Sequence, residues 1–163
     1  MVKGILGVDI GGVIIDRVRN DGTDTAFKSK RYLETTAIPG VFSSLAKLRE
    51  RFNGEIFVVS KAGLETELKT RDWLNHKGFY DLTGINPRDV HYCRERKEKA
   101  PICEWLGITH FIDDRLEVLS YMYSVPNKYL FGFQDKKEIE KHKQHLSKVV
   151  HVESWKEVLR IIK

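Results

Sequence analysis

The chain has 163 residues, of which 41% are hydrophobic and 31% charged, and its 28 lysines and arginines against 23 acidic residues leave a net charge of +5. This composition excludes a disordered chain and one built on membrane spans. At this length about 70% of the unfolded surface can be buried, enough for one full core without disulfide or metal staples.

Short apolar runs alternate with longer helical patterns, which predicts strands and helices around a mostly parallel sheet. Gly4–Asp9 (GILGVD) reads as a buried strand closing on a carboxylate. Residues 16–39 lack periodicity and carry much charge and the turn formers Asn20, Asp21 and Gly22, so an irregular or hairpin-like excursion is expected there. Such long loops in compact domains usually serve function. Val41, Phe42, Leu45, Leu48 and Phe52 recur at helical spacing after Pro39-Gly40, predicting a helix over 41–52. A strand follows at Glu55–Ser60, then a helix from Leu64 to His76 ended by Lys77-Gly78, and a short strand at Val90–Cys93. Ala100-Pro101 opens a helix to Leu106, since proline suits a first turn. Thr109–Ile112 reads as the next strand, running into Asp113-Asp114, with a helix at Leu116–Met122. Outer strands are expected at Lys128–Phe131 and Lys148–Val152, and helices at Asp135–Leu146 and Glu153–Ile162, with Trp73, Trp105 and Trp155 on helix faces against the sheet. The whole reads as one α/β domain over residues 1–163, a three-layer Rossmann-like sandwich with little or no cap.

Cys93 and Cys103 are too few for a disulfide framework and fit small core positions. The N-terminal apolar run breaks at Asp9, unlike a signal peptide or anchor, so a reducing cytoplasm is the expected compartment. Three segments, 16–31, 88–99 and 135–148, each hold five basic and three acidic residues. Mixed runs of this kind are ordinarily solvated faces, and none has the aromatic interleaving of a single-strand platform. His142 and His145 share a helix face but lack a third metal ligand.

The chemistry lies where strands end. Asp9, Ser60 and Asp113-Asp114 each close a predicted strand at one edge of the sheet, and in an open parallel sheet ligands bind at that edge. A carboxylate closing a buried strand is costly unless it is hydrogen-bonded, paired or bound to a cation. Two facing carboxylate sites would repel, and Mg²⁺, which takes oxygen ligands and keeps waters that a phosphate can replace, is the usual remedy. Ser60 supplies a hydroxyl. Lys97 and Lys99 compete for the role of nearby cation, with Lys99 favoured because it immediately precedes the Ala100-Pro101 helix start.

Asp9-Ile10-Gly11-Gly12-Val13-Ile14 after one strand, Ser60 after a second, Lys99 or Lys97 before a helix and Phe111-Ile112-Asp113-Asp114-Arg115 at a further strand resemble the four motifs of the haloacid dehalogenase (HAD) superfamily. Ile38-Pro39-Gly40-Val41 is similar to the segment preceding its second motif. The resemblance covers residues 4–119 and implies a Mg²⁺-dependent phosphohydrolase. In that scheme Asp9 attacks phosphorus and forms an aspartyl-phosphate, a covalent route that divides one difficult step into two. It implies that Ser60 and Lys99 act on the transferring phosphoryl group, with Gly11, Gly12, Lys61 and Lys97 as further phosphate contacts. Asp9, the Gly11 carbonyl, Asp113 and Asp114 are the implied metal ligands.

One departure stands out. Phosphatases of this superfamily usually carry a second Asp two residues after the nucleophile, as general acid and base, and here that position is Gly11. Such help is typically worth roughly 10²–10⁴-fold, so the change predicts a slow enzyme, a good leaving group, or a substitute acid such as Asp16 or another carboxylate of the 16–39 excursion. The expected partner is a phosphorylated small molecule or nucleotide; the reading admits a phosphorylated nucleic-acid end and a homo-oligomer, and gives the membrane no part. A second reading, favoured by Gly11 and the basic surplus, is a HAD-like domain of little activity that binds protein or nucleic acid. A third starts from GVDIGG, which also resembles the first phosphate loop of the sugar-kinase and actin-like ATPase group. That group uses two such domains, and the reading leaves Asp113-Asp114 without a role.

Overall fold

The computed structural model describes residues 1–16 and 26–163. Six strands, Leu6–Val8 (β1), Ile56–Lys61 (β2), Val90–Cys93 (β3), His110–Asp113 (β4), Asn127–Phe131 (β5) and Val150–Val152 (β6), form one sheet. Their order is β3-β2-β1-β4-β5-β6, and every neighbouring pair is parallel. The α-helices are Val41–Arg51 (α1), Leu64–His76 (α2), Phe79–Thr83 (α3), Lys99–Leu106 (α4), Leu116–Tyr121 (α5), Lys136–Lys141 (α6) and Trp155–Ile161 (α7).

Alternate strand residues face opposite sides of a sheet. Leu6, Val8, Ile56, Val58 and Ile112 therefore pack with Leu45 and Leu48 of α1, Trp73 of α2, Phe79 of α3 and Trp155 of α7. Val59, Phe111 and Leu130 pack on the other side with Cys103 of α4, Leu119 of α5 and Ile139 of α6. Burial on both faces is why the strands read as continuous apolar runs. The chain builds outward from β1 to β3, then returns to place β4 beside β1, and this reversal of strand order opens a crevice at their carboxyl ends. Register carries the consequence: Val8 pairs with Ile112, and the Asp9 N–H donates to the Ile112 carbonyl at 3.0 Å, so Asp9 stands level with Asp113.

The base of the 16–39 excursion is hairpin-like. Ile15 bridges antiparallel to Ala37, the Asp16 N–H donates to the Thr36 carbonyl at 2.9 Å, and the Ile38 N–H to that of Ile14 at 2.8 Å. Beyond it, 3₁₀ turns at Ala26–Lys28 and Tyr32–Glu34 lean on α2. Trp73 Nε1 donates to the Thr35 carbonyl and the Tyr32 hydroxyl to Asp72, each at 2.8 Å. The expected turn at Asn20, Asp21 and Gly22, and the charges of Arg17 and Arg19, lie outside the described residues.

Two expectations are corrected, and one helix is added. The helix expected over 135–146 stops at Lys141, and a 3₁₀ turn takes over at Lys143–Lys148, because Ile139 and Leu146 offer no apolar stripe for a longer helix to dock. Helix α3 is the added element, set between Gly78 and Gly84, both with positive φ (68° and 75°). Trp105 is 76% exposed, whereas Trp73 and Trp155 are buried as expected. Cys93 and Cys103 are buried free thiols.

Candidate active site

Lys99 Nζ donates to Asp9 Oδ1 and to Asp113 Oδ2, each at 2.8 Å, joining β1 to β4 across the sheet's reversal point. A 3₁₀ turn at Arg96–Glu98, closed by the Glu95 N–H on the Glu98 carboxylate at 2.7 Å, delivers the chain so that Lys99 is the first residue of α4. Its stem is buried and its ammonium lies 5.8 Å from the centroid of the Phe111 ring, leaving Lys99 only 2% exposed. Asp113 is fully buried, and its Oδ1 accepts from the Arg115 N–H at 2.9 Å. Asp114 completes an acidic group with Asp9 and Asp113, one oxygen from each lying within 4.8 Å of the others.

One ammonium among three carboxylates is an unbalanced charge. Burial, and behind it the Asp9 carboxylate, push the Asp113 carboxyl up to about 6. Burial and then the Asp9 and Asp113 charges hold Asp114 well above the usual carboxylate range. Burial alone would lower the Lys99 ammonium, but attraction to Asp113 and Asp9 outweighs it and holds the group above its ordinary value. The surplus negative charge and the all-oxygen donor set suit a hard divalent cation such as Mg²⁺.

Gly12 is what lets the loop after β1 approach this group. Its φ is +76°, and a Cβ there would run into the Asp114 carboxylate. Gly11 and Lys61 line a cavity of about 500 Å³ together with Asp9, Lys99, Asp113 and Asp114. Ser60 lies at the same edge, 3% exposed, but is not among the lining residues. Lys97 is not brought in: its side chain is 73% exposed and pairs with Glu95 at 3.4 Å. The wall adds residues that sequence reasoning missed, notably Glu65 and Lys69 of α2, Arg96 and Arg115. Projecting α2 onto a wheel from Leu64 puts Glu65 and Lys69 on one face, and Arg115 directly follows the Asp pair, so both signals were available.

His142 and His145 join no metal-ligand cluster among the described residues. Burial pushes the Cys93 thiol up to about 11 and that of Cys103 up to about 12, which makes both poor nucleophiles. Among the described residues no helix is long and apolar enough to cross a membrane.

Solved structures of HAD hydrolases and phosphatases share this fold. A HAD family hydrolase from Deinococcus radiodurans R1, with bound phosphate and sodium, matches at a TM-score of 0.62 and 12% identity over 95% of this chain and 93% of its own. D,D-heptose 1,7-bisphosphate phosphatase from B. bronchiseptica, complexed with magnesium and phosphate, matches at 0.60 and 13% identity over 96% of each chain. A putative 3-deoxy-D-manno-octulosonate 8-phosphate phosphatase from Vibrio cholerae matches at 0.55 and 16% identity over 98% of this chain and 80% of its own. No protein-family model matches the sequence, and no curated protein does.

Proposed function

We propose that this chain is a divalent-cation-dependent phosphomonoesterase that works through an aspartyl-phosphate on Asp9. The carrying observation is the Lys99 ammonium held between Asp9 and Asp113 at 2.8 Å from each, at the floor of an open cavity. Asp9, Asp113 and Asp114, with the Gly11 carbonyl on the same wall, would hold the cation. When bound, it offsets the mutual repulsion of the carboxylates and draws charge from the phosphoryl oxygens.

The chain's own residues account for the rest. The short bond to Lys99 fixes the Asp9 carboxylate, so that its free oxygen attacks phosphorus while the ester P–O bond breaks. Lys99 offsets charge on the transferring oxygens, and Ser60, at the same sheet edge though off the cavity wall, is the hydroxyl proposed to join it. The departing alkoxide takes its proton from solvent, since Gly11 offers none. Water then attacks phosphorus, the bond to Asp9 breaks, and phosphate leaves. Two of the structural neighbours are named for phosphorylated sugars, which supports a phosphorylated small molecule as substrate.

The test is phosphate release from sugar phosphates, nucleotides, 5′-phosphorylated oligonucleotides and p-nitrophenyl phosphate, with Mg²⁺ and with EDTA. Turnover that needs Mg²⁺ and is lost in Asp9→Asn is expected. Turnover by Asp9→Asn at the wild-type rate, or none on any ester, removes the reading.

A further inference from the structure

The walls of the cavity carry cations that the reacting centre does not use. Lys99 is held by Asp9 and Asp113, Arg96 by Glu117 at 2.8 Å, and Lys69 by Glu65 at 3.2 Å and the Lys28 carbonyl at 3.1 Å. Lys61 and Arg115 also line the cavity, yet neither makes an ion pair among the described residues. Their places are set by the sheet. Lys61 ends β2 and Arg115 follows β4, the two strands flanking β1, so the spare cations stand on either side of the strand that ends at Asp9.

A lone cation on a convex surface is simply solvated. Two on a concave wall act together on whatever occupies the cavity, because a cleft whose walls carry mostly one sign of charge concentrates counter-ions within it, even though the Lys61 side chain is itself exposed. A guanidinium also presents a planar fork that fits a carboxylate or a phosphate with two parallel hydrogen bonds. In the phosphomonoesterase reading the transferring phosphoryl group is met by Lys99, which leaves Lys61, named above as a phosphate contact, and Arg115, whose charge also acts on the neighbouring Asp114, to a further anion. The volume of about 500 Å³ accommodates a small molecule carrying both groups.

We infer that Lys61 and Arg115 form a second anion subsite, and that the substrate is a small phosphomonoester bearing a further phosphate or carboxylate. This rests on the phosphomonoesterase reading for its first phosphoryl group, while the subsite itself is a matter of binding.

Calorimetry with three hydrolysis-inert ligands in Mg²⁺ tests it: propylphosphonate, 3-phosphonopropionate and propane-1,3-bisphosphonate. The doubly anionic pair is expected to bind roughly tenfold tighter than propylphosphonate at about 0.1 M salt, an advantage that shrinks as salt rises. In Arg115→Gln and Lys61→Gln, the advantage is expected to fall below about threefold, and comparing carboxylate with phosphonate tells which anion the subsite prefers. Equal binding of all three ligands to the wild type, or an advantage intact in both variants, overturns the inference. The wild-type comparison decides even where a variant folds poorly. The C–P bond keeps this readout separate from turnover: preference without any ester hydrolysis sinks the phosphatase reading alone, and hydrolysis without preference sinks the subsite alone.

Discussion

At the scale of single residues, Lys99 holds the centre together, and its removal separates structural from chemical roles. Lys99→Met leaves Asp9 and Asp113 buried without their ammonium, and stripping one partner from a buried pair typically costs about 3–5 kcal/mol. Urea unfolding in EDTA is expected to show a loss of that size, and a loss below about 1 kcal/mol contradicts it. Gly11 poses a chemical question of its own. If no carboxylate serves the leaving group, Gly11→Asp raises kcat/KM on an alkyl phosphate by more than on p-nitrophenyl phosphate, whose phenolate leaves without a proton, within the roughly 10²–10⁴-fold range of acid catalysis. Equal gains on both esters mean that another group already supplies the proton. The carboxylates were legible in the sequence because each closes an apolar strand, a costly place for a charge without a partner. The choice between Lys97 and Lys99 was less so: both sit in one charged run, and the 3₁₀ turn at Arg96–Glu98 is what sends Lys97 outward while Lys99 enters the core as the first residue of α4.

At the scale of elements, the strands and the helices docked on them were legible because burial on both faces writes long apolar runs and helical stripes. What escaped was held by features without that signature. Helix α3 is too short to show a period and is fixed by its two left-handed glycines, and α6 ends early because its faces are charged almost all round. Trp105 shows the limit most clearly. It follows α4's buried Cys103 by two residues, which on a helix points it away from the sheet, and its ring meets that of His91 edge-on, at 6.0 Å between centroids. Trp73, by contrast, is fully buried under the excursion and donates to the Thr35 carbonyl, so Trp73→Ala is expected to cost about 3–5 kcal/mol and to loosen the 26–38 segment. Trp105→Ala is expected to stay within about 0.5 kcal/mol. Denaturant midpoints of the two variants check the contrast, and similar losses in both contradict it.

At the scale of the whole molecule, the net charge of +5 conceals an opposed arrangement, an acidic trio at the cavity floor beneath a largely basic wall. The fold makes this arrangement by reversing strand order between β1 and β4, which brings Asp9, Asp113 and Asp114 together from residues more than a hundred positions apart. In the unfolded chain Asp9 is far from the adjacent Asp113-Asp114 pair and all three carboxylates are solvated, so a divalent cation binds the folded state far better than the unfolded one. Mass action then turns binding into stability: a cation at about a hundred times its Kd contributes about 2.7 kcal/mol. For a chain of this size that amounts to a rise in Tm of about 5–10 °C. Thermal unfolding in excess Mg²⁺ against EDTA is expected to show such a rise for the wild type and little of it for Asp113→Asn, which removes one donor and part of the repulsion together. Asp113→Asn should also be less sensitive to EDTA, since an amide beside Asp9 leaves less charge to offset. An unchanged wild-type Tm, or the same shift in the variant, means that the trio is balanced by Lys99 alone and that the floor of the cavity is no metal site.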